Sequence, residues 1–321
     1  MTGVPSCKFE IIHQALMQDN SCLTVSELCK IAGVSRSGYY YWEQSTSSRI
    51  LKNQADREDF EKILEAYHFR GFQKGVRGIH MRLLHVGVQM NPKKIRRLMR
   101  KHNLFCPIRK ANPYRRMAKA LRTNNVADNL LHREFEEHGA RMILLTDITY
   151  VPYNGIFCYL STILDGYTKQ ALSYVVSESL EVDFVLETVM QLVRQHGISL
   201  NADTMLHSDQ GCHYTSYKFI QIVKDASLRQ SMSRKGNCWD NAPQESFYGH
   251  MKDELAPESK EWKTFADVMK SIDNWMDYYN KDRCQWQLAK LSPDEFYLYV
   301  MTGVYPLPAI QPTVIVGGSA P

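Results

Sequence analysis

The sequence predicts an α/β protein, in which a domain with a five-stranded mixed sheet and helices is preceded by small all-α units. Two observations carry this prediction. From residue 142 onward, strand-like and helix-like segments follow in the order three strands, helix, strand, helix, strand, helix. Before residue 110, apolar residues recur at helical spacing and single glycines separate the short segments.

Length and composition exclude several protein classes. A chain of 321 residues that is 44% hydrophobic can bury more than one core. No apolar run approaches the roughly 18 residues of a membrane span, and no charged-then-apolar leader opens the chain. We therefore expect a cytoplasmic protein without a membrane partner. The eight cysteines form no Cys-x-x-Cys pair and no zinc-finger spacing with histidine, so we expect reduced thiols rather than disulfides or a zinc site.

Residues 1–45 are predicted to form a first helix-turn-helix-like unit. A short amphipathic helix ends at Gly33, and Ser35 can cap the helix that follows. In a helix-turn-helix the second helix faces DNA, which makes Arg36 and Tyr40 candidate contacts. Simple packing of two short helices fits the same pattern equally well.

Residues 46–110 form the second predicted unit, and most of the excess positive charge lies there. The segment from His68 to Thr123 holds 16 Lys/Arg and no Asp/Glu, which leaves 23 Lys/Arg against 34 Asp/Glu elsewhere. Such a segment is typical of nucleic-acid binding, and a basic surface without a ligand is the alternative. Asn91 and Pro92 predict the start of a helix in a second helix-turn-helix-like arrangement. Its candidate DNA contacts are Lys93, Lys94, Arg96, Arg97 and Arg100.

Connecting segments are predicted from low hydrophobicity. The polar residues 44–56 are expected to connect the two helical units ahead of a helix over 57–69. Residues 111–140 are predicted to be a linker, with a short helix over 129–137. The Pro/Gly-rich residues 303–321 are predicted to be a disordered tail.

Residues 141–302 are predicted to form the α/β domain. Asn154-Gly155 and Asp165-Gly166 separate three β-rich segments, which predicts an antiparallel meander. Two further helix–strand pairs and a final helix complete the domain. This order of elements is that of the ribonuclease-H-like fold.

Three acidic residues lie at distinctive places in that order. Asp147 falls in the first strand, Asp209 just after the fourth, and Glu245 in the helix after the fifth, with 35 residues between Asp209 and Glu245. Lys252 lies about two helical turns after Glu245, on the same face. A carboxylate and a cation that face one way suit a phosphate held beside a metal ion. Taken singly, each acid also fits a turn, a cap or an exposed surface position.

This spacing resembles the Asp-Asp-Glu triad of retroviral integrases and many bacterial transposases. The segments His-Ser-Asp-Gln-Gly around Asp209 and Asp-Asn-Ala before Glu245 are similar to the insertion-sequence-three transposase family. So are Tyr278-Tyr279-Asn280 and the following Ser292-Pro293. The resemblance is to the product of that family's second reading frame and covers about residues 20–300. The chain shows no His-His-Cys-Cys module of retroviral integrases, which favours the bacterial branch.

The resemblance implies an integrase-like catalytic core. In it, Asp147, Asp209 and Glu245 would hold two Mg²⁺ ions, for which Mn²⁺ can substitute. The enzyme would cleave at the ends of an insertion sequence and join the freed 3′-hydroxyl to target DNA by in-line displacement at phosphorus. The candidate DNA contacts in this domain are Lys252, Arg234, Lys235 and Asn241.

The expected partners are the terminal repeats of the element and the target DNA. In the resembled family the full enzyme is often a frameshift fusion, so we also expect self-association or an upstream-frame partner product. Two other functions stay open. A nuclease or resolvase of the same fold would cut without strand transfer. A non-catalytic DNA-binding regulator would have no need of three carboxylates near the phosphate backbone.

Overall fold

The computed structural model describes residues 5–17, 23–107, 139–233 and 242–307. The chain divides into two compact units, Met1–Leu64 and Glu65–Pro321. No helix in the described ranges is long and apolar enough to cross a membrane. The N-terminal helices are α1 (Pro5–Leu16), α2 (Val25–Ala32), α3 (Arg36–Gln44), α4 (Thr46–His68), α5 (Val76–His85) and α6 (Pro92–Lys101). The α/β part consists of β1 (Ile143–Tyr153), β2 (Ile156–Asp165), β3 (Ala171–Ser177), α7 (Asp183–His196), β4 (Met205–Ser208), α8 (Tyr217–Asp225), β5 (Arg229–Met232), α9 (Ala242–Leu255), α10 (Phe265–Lys281) and α11 (Pro293–Thr302).

The first unit contains the predicted helix pair, α2 and α3. Gly33 adopts a left-handed conformation with φ of 64°, which glycine tolerates without steric cost, and it ends α2. The Ser35 hydroxyl accepts a hydrogen bond from a backbone N–H of the first turn of α3. Helix α1, which the sequence patterns did not predict, completes a small core in which Ile12, Cys29 and Tyr39 are buried.

Helix α4 corrects the prediction of a connector over residues 44–56. The chain is helical without a break from Thr46 to His68. This stretch contains no glycine or proline, and its many Arg, Lys, Gln and Glu residues lose little side-chain freedom in a helix. Polarity therefore marked an exposed helix rather than a loop.

Helices α5 and α6 form the second predicted pair, here called the basic pair. Asn91 caps α6 by accepting a 2.8 Å hydrogen bond from the backbone N–H of Lys93. Ile95, Leu98 and Met99 are buried, as the helical spacing predicted. The polar and cationic residues of α6 consequently occupy its other faces.

The basic pair and the α/β domain belong to the same compact unit. Just before α5, Arg70 forms ion pairs with Asp277 and Asp282, near the end of α10. Phe72 stacks on Tyr278 with ring centroids 4.3 Å apart. We call this set of contacts the junction. Since it combines charge pairing with aromatic packing, it fixes the start of the basic pair against α10.

The sheet has the strand order β3-β2-β1-β4-β5. Strands β1, β2 and β3 are antiparallel neighbours, and Asn154-Gly155 makes the turn between the first two with positive φ at both residues. Strands β4 and β5 run parallel to β1. The predicted five-stranded mixed sheet is confirmed.

Helices cover both faces of the sheet. On one face, α9 and α10 contribute residues such as Phe247, Trp275 and Tyr279 to a core shared with the sheet. On the other face, α7 and α8 contribute residues such as Val189 and Phe219. The aromatic residues near the end of α10 are thus core residues.

Parts of the predicted linker and tail fall outside the described residues. This applies to residues 111–138, including the helix predicted over 129–137, and to the tail from residue 308 onward. The described start of the tail makes a tertiary contact, because the Tyr305 hydroxyl donates a 2.8 Å hydrogen bond to the Ala289 carbonyl. The predicted domain boundaries remain predictions.

Candidate active site

Asp147 and Asp209 lie at matching positions on two adjacent parallel strands. The register pairs Leu145 of β1 with His207 of β4, and each aspartate follows its paired residue by two positions. Strand β4 ends at Ser208, so Asp209 begins the loop at the carboxyl end of the strand. Two carboxylates 62 positions apart in the sequence therefore come together where β4 ends beside the middle of β1, a place here called the acidic edge.

The electrostatics of Tyr214 support this proximity. Burial raises the pKa of the Tyr214 hydroxyl well above its usual value, and the negative charges of Asp147 and Asp209 raise it further. The Tyr214 hydroxyl is therefore close enough to Asp147 and Asp209 for both negative charges to act on it. Asp147 is half-buried, with a 2.8 Å hydrogen bond from the Ile148 N–H, whereas Asp209 is exposed.

A chain of buried hydrogen bonds connects α9 to the strand of Asp147. The Gln244 side-chain amide donates to the Thr162 hydroxyl at 2.7 Å. The Thr162 hydroxyl lies 2.8 Å from the Tyr248 hydroxyl, which itself donates to the Asp147 carbonyl at 2.6 Å. A carbonyl oxygen can only accept, so the Tyr248 hydroxyl uses its hydrogen for Asp147 and accepts from Thr162. Each group in the chain therefore donates to the next, from Gln244 to the Asp147 carbonyl. We call this chain the relay.

The relay determines where Glu245 lies. Glu245 follows Gln244 directly and is exposed, while Gln244 and Thr162 are fully buried. Thr162 is also the cross-strand partner of Asp147 in the antiparallel pair of β1 and β2. The relay therefore fixes the first turn of α9, and with it the Glu245 backbone, against the strand that carries Asp147.

Sequence reasoning missed the relay, although one signal was present. Gln244 falls on the stripe of α9 that also contains Phe247, Tyr248, Met251 and Leu255, all of which are buried. A buried amide is costly unless it is hydrogen-bonded, so glutamine on an apolar stripe implies partners. The identity of those partners depends on contacts 82 and more positions away in the sequence.

Lys252 lies on α9 two turns after Glu245 and close to Asp147. Partial burial of its ammonium group lowers the pKa of Lys252, and the negative charge of Asp147 opposes this shift. The side chain as a whole remains exposed. Lys252 is therefore a cation close to Asp147, in a position where it can meet a phosphate bound there.

We call Asp147, Asp209 and Glu245 the acidic triad. Their carboxylate oxygens do not all lie within 4.8 Å of one another. Among the described residues, a different group of side chains has its ligand atoms this close together. Two metal ions about 3.5–4 Å apart spread their ligands over a wider space than one ion does. The donors are carboxylate oxygens, the ligands that Mg²⁺ prefers, so the residues fit a hard divalent cation.

Comparison with known proteins agrees with this geometry. Residues 137–238 and 226–293 match two integrase core domain families, and residues 54–112 match an HTH-like domain. InsK of Escherichia coli (strain K12), described as a transposase for insertion sequence element IS150, is 30% identical over 272 residues, which are 85% of this chain and 93% of InsK. The chain belongs to the insertion-sequence-three family of transposases.

The chain is also similar to a second insertion-element protein and to a solved integrase structure. The transposase is also 30% identical to a 31 kDa protein of insertion element IS600 from Shigella sonnei, over 84% of this chain and 97% of the relative. The HTLV-2 integrase catalytic core domain in complex with magnesium covers 49% of the transposase and 97% of its own chain, at 12% identity and a TM-score of 0.39.

Family membership establishes the general activity. The transposase is a polynucleotidyl transferase with an integrase-like core. The core domain implies dependence on a divalent metal ion, and the HTH-like and integrase domains imply DNA as a partner.

The other predicted site residues of the transposase lie on exposed surfaces or outside the described residues. Arg36 and Tyr40 are exposed on α3. Lys93, Arg96, Arg97 and Arg100 are exposed on α6, and Lys94 is half-buried. Arg234, Lys235 and Asn241 fall outside the described residues. These DNA contacts remain predictions.

The exposed arginines of α6 lead to a testable prediction. The double variant Arg96→Ala/Arg100→Ala of the transposase is expected to bind terminal DNA more weakly than the wild type. The magnitude of the slope of log K against log salt concentration is expected to fall by about 2, because each lost phosphate contact lowers it by about 1. Arg194→Ala is the control, because Arg194 is an exposed arginine on α7 that pairs with Glu187. Equal slopes for the two variants and the wild type would show that Arg96 and Arg100 do not contact phosphates.

Proposed function

We propose that the transposase cleaves DNA at the ends of its insertion sequence and joins the freed 3′-hydroxyl to target DNA. The observation that carries this proposal is the alignment of Asp147 and Asp209 on adjacent parallel strands. The helix of Glu245 is tied by hydrogen bonds to the strand of Asp147. This arrangement supports a reaction at one phosphodiester held at the acidic edge.

In the proposed mechanism the acidic triad would hold two Mg²⁺ ions, which would supply activation of the attacking oxygen and stabilisation of the leaving oxygen. The protein contributes position and charge. Asp147 and Asp209 approach from neighbouring strands, and the relay holds the first turn of α9, which carries Glu245, against the strand of Asp147. Lys252 neutralises part of the phosphate charge near Asp147. The attacking oxygen forms its bond to phosphorus as the leaving oxygen departs, so no covalent enzyme intermediate arises.

DNA binding in this proposal involves several surfaces. The basic pair contacts the phosphate backbone of the terminal repeat through α6, and α3 adds a second contact through Arg36 and Tyr40. Arg234, Lys235 and Asn241 precede the helix of Glu245 in the chain and are proposed to contact the DNA end. Self-association, or an upstream-frame product, is proposed to bring two ends together.

The experiment compares two versions of one pre-cut terminal DNA in Mg²⁺, one with a 3′-hydroxyl and one with a 3′-deoxy end. Joined product is expected only with the 3′-hydroxyl, and Mn²⁺ is expected to replace Mg²⁺ while EDTA stops the reaction. The 3′-deoxy DNA binds in the same way but lacks the nucleophile, so it serves as the matched control.

Each other outcome identifies an alternative. In a parallel reaction on uncleaved ends, cutting without joining, with or without the upstream-frame product, would identify a nuclease or resolvase. Binding without cutting or joining under both conditions would identify a regulator. Joining that appears only when the upstream-frame product is added would retain the proposed reaction and make that product an obligatory partner.

A further inference from the structure

A second group of metal-ligating side chains lies outside the acidic triad. His85 of α5, Cys284 after α10 and Glu295 of α11 place a nitrogen, a sulfur and an oxygen all within 4.8 Å of one another. Within the described part of the chain, these are the three metal-ligating side chains whose ligand atoms lie this close together. We propose that these residues bind one divalent cation of the zinc type, independently of the catalytic reaction.

The distances are close to those that one ion requires. His85 Nε2 lies 3.0 Å from Glu295 Oε2 and 3.6 Å from Cys284 Sγ. Around a tetrahedral Zn²⁺ these pairs would be separated by about 3.4 Å and about 3.6 Å. The sulfur is also 3.6 Å from Nδ1, so the thiol has to turn toward the Nε2 side as the ion enters. The required adjustment is a side-chain movement.

Neighbouring groups orient two of the three ligands. His85 Nδ1 donates a 2.7 Å hydrogen bond to the Met81 carbonyl, which leaves Nε2 to face the other two side chains. Metal-binding histidines commonly use their second nitrogen in this way. Glu295 Oε2 accepts a 2.8 Å hydrogen bond from the Ser292 N–H in the capping box of α11. The carboxylate is therefore already held toward His85.

The donor set selects the kind of ion. Thiolate and imidazole suit Zn²⁺ and similar borderline cations, whereas Mg²⁺ prefers an all-oxygen shell. Binding releases the thiol proton of Cys284 and the proton shared between His85 Nε2 and Glu295, and water completes the tetrahedron. The His85 and Glu295 side chains are 10% and 30% exposed, so the site is shielded and still accessible.

The position of the site indicates what the ion does. Its ligands come from the basic pair, from the segment after α10 and from α11, so a bound ion cross-links three elements. Cys284 and His85 are 199 positions apart, which is why cysteine and histidine spacing predicted no zinc site. The ion would strengthen the attachment of the basic pair without taking part in phosphoryl transfer.

The test is a titration of the metal-stripped full chain with Co²⁺. Excess Mg²⁺ is present so that sites made of carboxylates alone are already occupied. One equivalent of Co²⁺ is expected to produce thiolate-to-cobalt absorption, to raise the Tm, and to be displaced by Zn²⁺. Cys284→Ser is expected to lose the absorption. Cys106→Ser, which removes another half-buried thiol of the same unit, is expected to keep it.

Two further variants make the result decisive. Glu295→Gln retains an oxygen for the Ser292 N–H but is a weaker ligand, and it is expected to weaken Co²⁺ binding at least about tenfold. Asp209→Asn is expected to bind Co²⁺ at this site as the wild type does, which separates the proposal from the catalytic one. Absence of the absorption in the wild type, or its persistence in Cys284→Ser, would overturn the proposal.

Discussion

Asp147→Asn, Asp209→Asn and Glu245→Gln are each expected to lower the rate of strand transfer by about 10³-fold or more. The amides keep the shape of the carboxylates but remove the charge that holds a divalent cation. A metal ion supplies several kcal/mol of transition-state stabilisation, and about 1.4 kcal/mol corresponds to tenfold in rate. Binding to terminal DNA is expected to persist, because removing negative charge from the DNA-facing edge does not oppose a polyanion.

The measurement is a single-turnover strand-transfer rate beside a binding curve for the same DNA. Asp203→Asn is the matched control, since Asp203 is an exposed aspartate in the loop before β4 and outside the triad. Wild-type rates are expected for this control. A triad variant that joins DNA at a rate close to that of the wild type would remove that residue from the metal site.

Thr162→Val is expected to reduce strand transfer by about 10–100-fold, the usual effect of removing a group that orients metal ligands. Valine has nearly the shape of threonine but neither accepts from Gln244 nor donates to Tyr248, so the relay is broken at its centre. The free energy of unfolding is expected to fall by about 1–3 kcal/mol, because a buried amide loses a partner. The affinity for terminal DNA is expected to stay unchanged.

Ser161→Ala provides the control for a buried hydroxyl on the same strand. Ser161 is fully buried beside Thr162, and its hydroxyl has no hydrogen-bond partner within the described ranges. The informative readout is the Mg²⁺ concentration that gives half-maximal rate. It is expected to rise in Thr162→Val and to stay constant in Ser161→Ala. An unchanged Mg²⁺ dependence in Thr162→Val would make the relay structural only.

Local chemistry made much of the fold predictable. Asn154-Gly155 adopts the positive φ values that a tight hairpin needs, and Gly33, Ser35 and Asn91 mark helix ends where the structure has them. Turn and cap residues act over a few positions, so their effect can be predicted without knowledge of the tertiary structure. The order of elements along the chain predicted a ribonuclease-H-like fold, and the strand order in the structure brings Asp147 and Asp209 together on adjacent strands.

Features that depend on distant contacts could not be predicted in this way. The connector expected at residues 44–56 is part of α4, because polarity alone does not distinguish an exposed helix from a loop. The relay joins residues of β1, β2 and α9, and the junction joins Arg70 to a helix more than 200 positions later. Hydrophobic spacing indicates that such faces are buried but not which groups they meet.

The junction has a consequence for the arrangement of the mobile element itself. Since α6 and the acidic triad belong to one compact unit, the proposed phosphate contacts of α6 and the proposed reaction at the triad imply that the protein sets the span of DNA between them. On this proposal, each cut lies a fixed number of base pairs from the sequence that α6 binds. An end whose recognised sequence lay at another distance would be bound and left uncut.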